Sequence, residues 1–194
     1  PIIRSLLSDI TKAKCVTADV IEVNEHMCLN VAGVGLDSFV AHSSEKSRTR
    51  GLWLYTRMTL KNFLKMKPFM VQIQIGNKEP FTEEVFDLTI ANTRQFGYNA
   101  FIAPEAKPND GIIDIVILKP FPKILAPLII YRLFRGTLKD SKYVKYLKTE
   151  ESFIIRTDEK KFHIDGDPFE IEGNVNVRIR CNALTVLKTK RNKF

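Results

Sequence analysis

A chain of 194 residues with 44% hydrophobic content is long enough to bury a real core and too apolar to be disordered. Thirty basic against 22 acidic side chains leave a net charge of +8, which favours anionic partners. The three cysteines, Cys15, Cys28 and Cys181, form neither an even set nor a CxxC pair, which argues against a disulfide framework or zinc site and for a reducing cytoplasm.

The chain begins at Pro1 and enters Ile2-Ile3-Arg4-Ser5-Leu6-Leu7, a pattern that predicts a helix over 2–13 and reads as the middle of a longer polypeptide. Nothing in it reads as a signal peptide. Strands are predicted over Cys15–Val23 and Met27–Ala32. The second leads into Asn30-Val31-Ala32-Gly33-Val34-Gly35-Leu36-Asp37, where two glycines either bring the backbone close to a ligand or form a bulge or turn. Asp37 offers a hydrogen-bond acceptor to a hydroxyl. Ser38 stands where a dinucleotide fingerprint needs a third glycine, which excludes that motif.

A basic run, Ser44 to Gly51, enters a helix predicted over roughly 48–66, on which Arg57, Lys61 and Lys65 form a cationic stripe. Residues 42–67 carry seven Lys/Arg against Glu45 alone. Strict alternation predicts half-buried strands at Val71–Ile75 and Phe86–Ile90, followed by the turn Asn92-Thr93-Arg94-Gln95-Phe96-Gly97. In Ala103-Pro104-Glu105-Ala106-Lys107-Pro108-Asn109-Asp110-Gly111, the Asp-Gly pair is a turn or, with neighbouring carbonyls, a hard-oxygen set of the kind magnesium prefers.

Ile112–Leu118 is apolar enough for a central strand, and a helix follows over 122–134. The longest apolar run, Ile124–Tyr131, contains Pro127 and falls far below the ~20 residues that span a bilayer. Residues 119–161 hold eleven basic and five acidic side chains, a second local +6. Either basic segment attracts phosphates or simply solvates a helix face. Phe121, Ile124, Leu125, Ile129, Ile130, Leu133 and Phe134 form either a shallowly inserting membrane face or core.

Further strands are predicted over Ser152–Arg156, Lys161–Ile164, Val175–Ile179 and Ala183–Leu187. Between them, His163-Ile164-Asp165-Gly166-Asp167-Pro168 sets two carboxylates around one glycine at a strand end, either an ordinary hairpin turn or a place where a sheet aims an acid or base. Many short strands predict a mainly β chain, an antiparallel β-sandwich with a few short helices. A helical segment over 1–14 would join it to a preceding lobe, with the sandwich over 15–194.

Taken in order, Gly33-x-Gly35-x-Asp37, the Glu45–Gly51 entry, the Asn92–Gly97 turn, Pro104 to Gly111 and Asp165-Gly-Asp167 resemble the C-terminal lobe of the diacylglycerol kinase and sphingosine kinase family, nearest its bacterial soluble lipid kinases. The resemblance runs from Asp19 to Leu187 and implies an ATP- and magnesium-dependent lipid kinase whose N-terminal lobe holds the ATP phosphates. It implies that Asp167 takes the proton from the lipid hydroxyl, with Asp165 holding the turn or assisting magnesium. Asp167 departs from the family's Glu by one methylene. Arg48 and Gly166 match nucleotide-contacting positions, and Asp37 resembles an acidic residue that holds a lipid head group. Lys107, Asp110 and Ile112 match the magnesium ligands.

The expected partners are a lipid substrate at a membrane surface and anionic lipid, for a cytoplasmic protein that associates peripherally with membranes. Nucleic acid is disfavoured, because the basic segments are not interleaved with strand aromatics. Exposed sheet edges would permit a homodimer. The alternative from another class is a non-catalytic basic β-sandwich that binds anionic lipid or another polyanion.

Overall fold

Two six-stranded antiparallel sheets, packed face to face, make up the computed structural model, which describes residues 13–44, 63 and 66–188. The strands in chain order are β1 (Lys14–Val23), β2 (His26–Cys28), β3 (Val31–Gly35), β4 (Phe69–Ile75), β5 (Phe81–Val85), β6 (Asp87–Ala91), β7 (Ile113–Leu118), β8 (Val144–Thr149), β9 (Phe153–Arg156), β10 (Lys161–Ile164), β11 (Asp167–Glu170) and β12 (Val175–Lys188). One sheet runs β2-β1-β12-β9-β4-β5 and the other β11-β10-β3-β6-β7-β8. Helix α1 (Leu36–Ser44) follows β3 directly, and α2 (Ala126–Arg135) lies between β7 and β8.

The core between the sheets comes from alternate residues of each strand. Ile21, Val23, Val71, Ile73, Ile155, Val175 and Val177 of the first sheet meet Val34, Leu88, Ile90, Ile113, Ile115, Ile117 and Phe162 of the second. The second sheet is covered on its other face too, where Val31, Ala91, Val116 and Leu118 pack beneath Phe121, Ile129 and Leu138. That double burial explains why β6 is buried throughout although it reads Asp-Leu-Thr-Ile-Ala. Asp87 and Thr89 point into the outer layer, not to water, and must find partners there.

Most predicted strands are present, with informative departures. The predicted Met27–Ala32 strand breaks at Leu29 and Asn30, where the chain passes from the first sheet to the second. The two predicted strands over 175–187 are one, β12, whose far half pairs with Lys14–Ala18 as a projecting ribbon. Strands β5, β8 and β11 escape prediction because their Glu, Lys and Pro content hides the alternation. The helix expected over 2–13, the preceding-lobe segment apart from Ala13 and Lys14, Arg48, and nearly all of the basic helix over 48–66 lie outside the described residues. Lys14 itself begins β1.

The glycines of β3 serve the protein's own packing. A Cβ on Gly33 would collide with the Asp37 carboxylate and come within 2.8 Å of Leu88 O. Gly35 has φ +119, and a Cβ there would lie 2.5 Å from Phe86 O. The space they free admits the Asp37 side chain and the neighbouring strand, so the ligand-approach reading of these two glycines is replaced by close internal packing.

Candidate functional site

The hairpin β10–β11 closes through Asp165 and Gly166, whose φ values are +53 and +91. Two consecutive positive φ values define the tight turn that fits strand twist, and Asp-Gly tolerates both. Cross-strand partners share a face, so Asp167 lies on the side of Ile164, whereas His163 and Pro168 point to the outer face. Asp167 is exposed and makes no side-chain hydrogen bond or ion pair with a described residue.

Asp165 does something different. Its carboxylate accepts from the N–H of Leu29 at 2.8 Å, of Asn30 at 2.7 Å and of Val31 at 3.2 Å. Its own N–H donates to Val31 O at 2.9 Å. The buried Cys28 thiol also points at Oδ1, 3.3 Å away, and burial with the neighbouring carboxylate pushes that thiol far above its usual value. Asp165 therefore fastens the hairpin tip to the crossing between β2 and β3.

On the outer face, His163 Nε2 lies 2.7 Å from Asp37 Oδ2, and its Nδ1 accepts from Gly166 N–H at 3.3 Å. Accepting at Nδ1 leaves Nε2 as the donor to Asp37 in the neutral ring. Asp37 also accepts from Ser38 N–H at 2.5 Å, and its own N–H donates to Asp87 Oδ1 at 3.0 Å. Thr89 Oγ1 donates to Asp87 Oδ2 at 2.9 Å. Burial first, and the Asp37 charge second, raise Asp87 well above the usual carboxylate range. The result is a buried chain, Asp87–Asp37–His163, ending on the backbone of Gly166.

Burial alone would lower the His163 imidazole, but the Asp37 charge and hydrogen bond, with Asp165 beyond, hold it above its ordinary value. A raised folded value means that the pair stabilises fully below the unfolded 6.5, and that this contribution fades as pH rises through the folded value. His163→Gln should therefore destabilise by about 2 kcal/mol in mildly acidic solution and by clearly less at alkaline pH. Thermal unfolding of both proteins across that range measures the gap. A gap independent of pH would remove the charge from the account.

Two hollows adjoin this chain, and a third neighbours one of them. A narrow one of about 80 Å³ is lined by Asn30, Asp37, Phe96, His163, Asp165 and Gly166. A wide one of about 590 Å³ shares Asn30 with it and adds Arg94, Lys107 and Lys188. An apolar crevice of about 70 Å³ shares Asp37 and Phe96, and is walled by Ile102, Ile129, Ile130 and Leu133 with Asp87 beside Asp37. A larger cavity, about 760 Å³, opens elsewhere, around Glu22, His26, Gln74 and Arg178 on the first sheet, and holds none of the predicted site residues.

Asp37, Asp165 and Gly166 are thus brought together, and Lys107 lines the neighbouring wide hollow. Asp110 and Ile112 sit on the same loop as Lys107, where Asp110 Oδ1 accepts from Ile112 N–H at 3.2 Å. Among the described residues no three His, Cys, Asp or Glu side chains cluster as a metal site, so an ion here would rest largely on main-chain carbonyls. That loop is fixed by Asp19, a residue given no role by the sequence reading. Asp19 sits at a register shift of β1, donates its N–H to Pro108 O at 2.7 Å, and accepts from Gly111 and Asn182 N–H at 2.8 Å each. His163, Asp87 and Thr89 are likewise assigned nothing by the sequence reading. An acidic residue inside an otherwise alternating apolar strand is the signal that would have found Asp19 and Asp87.

Comparison with known proteins follows the same lines. The family model described as the YegS C-terminal NAD kinase beta sandwich-like domain matches residues 30–188. A Shewanella frigidimarina protein named "Probable lipid kinase YegS-like" is 26% identical over 170 residues, covering 87% of this chain and 54% of that protein. The chain thus spans about half the length of this relative. The crystal structure of a diacylglycerol kinase from Bacillus anthracis superposes with TM-score 0.62 at 16% identity, over 91% of this chain and 55% of the other. That of an NAD kinase from Archaeoglobus fulgidus in complex with ATP gives 0.57 at 10% identity, over 98% and 62%. At those identities the structural likeness is one of fold.

Proposed function

Because this chain belongs to the lipid kinase family of the YegS C-terminal NAD kinase beta sandwich-like domain, we propose that it is the C-terminal lobe of an enzyme that transfers the γ-phosphoryl group of ATP to a lipid hydroxyl. A single observation carries this reading. The narrow hollow at the Asp165-Gly166 turn shares Asn30 with a wide hollow lined by Arg94 and Lys107, and shares Asp37 and Phe96 with an apolar crevice. In this reading phosphate, transfer point and acyl chain would each have a surface of their own.

Phosphoryl transfer asks a protein for positioning and charge neutralisation more than for covalent chemistry. In this scheme Arg94 and Lys107, with Arg48, attract the phosphates. Gly166 leaves room against its backbone, since nothing lies within 4 Å of where its Cβ would be. Asp167 accepts the proton of the lipid hydroxyl as its oxygen attacks the γ-phosphorus and ADP departs. Asp37 and Asp87 meet the polar part of the lipid, and the crevice its first methylenes. Magnesium would neutralise phosphate charge when held by the Lys107 and Ile112 carbonyls and the Asp110 carboxylate, oxygen donors of the type it prefers. A preceding nucleotide-binding lobe would complete the ATP site. Work on a membrane-embedded substrate would make the protein a peripheral membrane enzyme, although no described helix is long and apolar enough to cross a bilayer.

The test is transfer of labelled γ-phosphate from magnesium ATP by the full-length protein to diacylglycerol, monoacylglycerol, ceramide, sphingosine and phosphatidylglycerol in mixed micelles. Magnesium-dependent label in one lipid is the expected result. No label in any of them, from folded protein that binds ATP, would overturn the proposal.

A further inference from the structure

Helix α2 has two apolar faces, and only one is used by the fold. Ile129 is buried, Ile130 and Leu133 wall the crevice, and Leu125 packs against the outer core, so most of the residues expected to insert into a membrane are core or crevice wall. Phe121 belongs to that core as well, stacked on Phe63 with ring centroids 4.9 Å apart. The opposite face carries Leu128, 46% exposed, and Tyr131, 60%, and the 3-10 turn Lys123–Leu125 leading into the helix adds Ile124, 87% exposed. Their spacing of four and three places them on one helical stripe. Three large apolar side chains in a row on water are uncommon unless something covers them.

The charge around this stripe indicates what covers it. Four neighbouring lysines have carboxylate partners, Lys119 and Lys145 on Glu83 and Lys139 and Lys148 on Glu105. Arg132, Arg135 and Lys142 have none among the described residues. Arg132 leans only on Thr137 O at 3.5 Å, and Lys142 lies over the Tyr143 ring. Lys123, exposed, stands at the helix entrance. An apolar stripe beside Arg132 and Arg135, neither paired with a carboxylate among the described residues, is the pattern of a helix lying in the plane of an anionic bilayer, with tyrosine at headgroup depth.

We propose that the stripe of Ile124, in the turn leading into α2, with Leu128 and Tyr131 of α2 is the surface by which this protein docks on anionic membranes, which seats the crevice walled by the other face of the same helix at the bilayer. This inference deepens the lipid kinase reading and rests on it for its purpose, though not for its geometry. A substrate drawn partly out of the bilayer would pass along the edge of α2 and reach Asp37 and Asp87 without crossing water.

The experiment is co-sedimentation of the full-length protein with phosphatidylcholine vesicles, with and without phosphatidylglycerol, alongside the triple variant Ile124→Gln, Leu128→Gln, Tyr131→Ser and the charge variant Arg132→Gln, Arg135→Gln. The wild type should bind the anionic vesicles selectively. Each variant should lose roughly tenfold or more in partitioning. Equal binding to both vesicle types, no binding to either, or wild-type partitioning by the triple variant would overturn the proposal. Shielding of Tyr131 from solvent in lipid-free full-length protein would overturn it too, by showing that another part of the protein covers the stripe. The triple variant should still phosphorylate a short-chain substrate dissolved as monomers, while losing activity on vesicles. Loss of all kinase activity in a wild type that binds vesicles would count against the enzymatic reading and leave the docking surface standing.

Discussion

Asp167→Asn in the full-length protein should lower phosphate transfer to lipid by about 10²–10⁴-fold, the range expected when a general base is removed, with little change in the concentration of lipid needed. The amide keeps the size and shape of the side chain but does not accept the hydroxyl proton. Stability should hardly move, because Asp167 is exposed at the first position of β11 and has no described partner to lose. A carboxylate left unengaged at a tight turn is available to a substrate, unlike Asp165 two residues earlier. Its register also sets a condition. It shares the face of Ile164, away from the His163 side, so the lipid hydroxyl must approach over the tip of the hairpin and not from the floor of the crevice. Asp167→Glu supplies the second arm: it restores the longer side chain of the family pattern and should retain turnover within about tenfold, since reach and not chemistry changes. Turnover rates and thermal unfolding of the three proteins check this. Full activity in the Asn variant would remove Asp167 from the mechanism, and a large fall in unfolding temperature would make its role structural.

How much of this could be read from the sequence follows from the range of the interactions involved. Strands that alternate, such as Val71–Ile75, are legible because a half-buried sheet imposes period two on nearby residues. The hairpin at Asp165-Gly166 is legible for the same reason, its turn chemistry being local. The partners of those residues are not. Asp165 meets Leu29, Asn30 and Val31, more than 130 residues away in sequence, and the period of β10 carries no trace of that meeting. Gly33 and Gly35 look like ligand-binding glycines until the sheet places Asp37 and Phe86 in the space they leave. Apolar residues of α2 show no sign of which face is crevice and which is solvent, because both have helical spacing and only the packed sheet decides between them. A charged side chain in a buried strand position, as at Asp19 and Asp87, marks a site that needs partners, but the partners come from other strands.

Asp165→Ala is expected to give the largest loss of stability among substitutions at the hairpin, about 2–3 kcal/mol, or roughly 5–10 °C in unfolding temperature for a domain of this size. Two effects add. Three main-chain N–H groups lose a charged acceptor, although partial exposure of the tip lets water replace some of it. Alanine at φ +53 also pays a conformational penalty that aspartate and asparagine largely escape. Asp165→Asn separates them, because it keeps the left-handed preference and one acceptor oxygen while turning an amide donor toward backbone N–H groups; it should lie between wild type and Ala. Activity in the full-length protein should fall with the Ala variant through displacement of Gly166 and Asp167, and added magnesium should not restore it. Rescue by magnesium would make Asp165 a metal ligand, contrary to the engagement of its oxygens by the Leu29–Val31 backbone. Stability close to wild type in the Ala variant would mean that the β2–β3 crossing holds without the carboxylate. The distinction matters because two aspartates one residue apart then have separate work: the first fixes where the turn lies, and the second meets the substrate from the place so fixed.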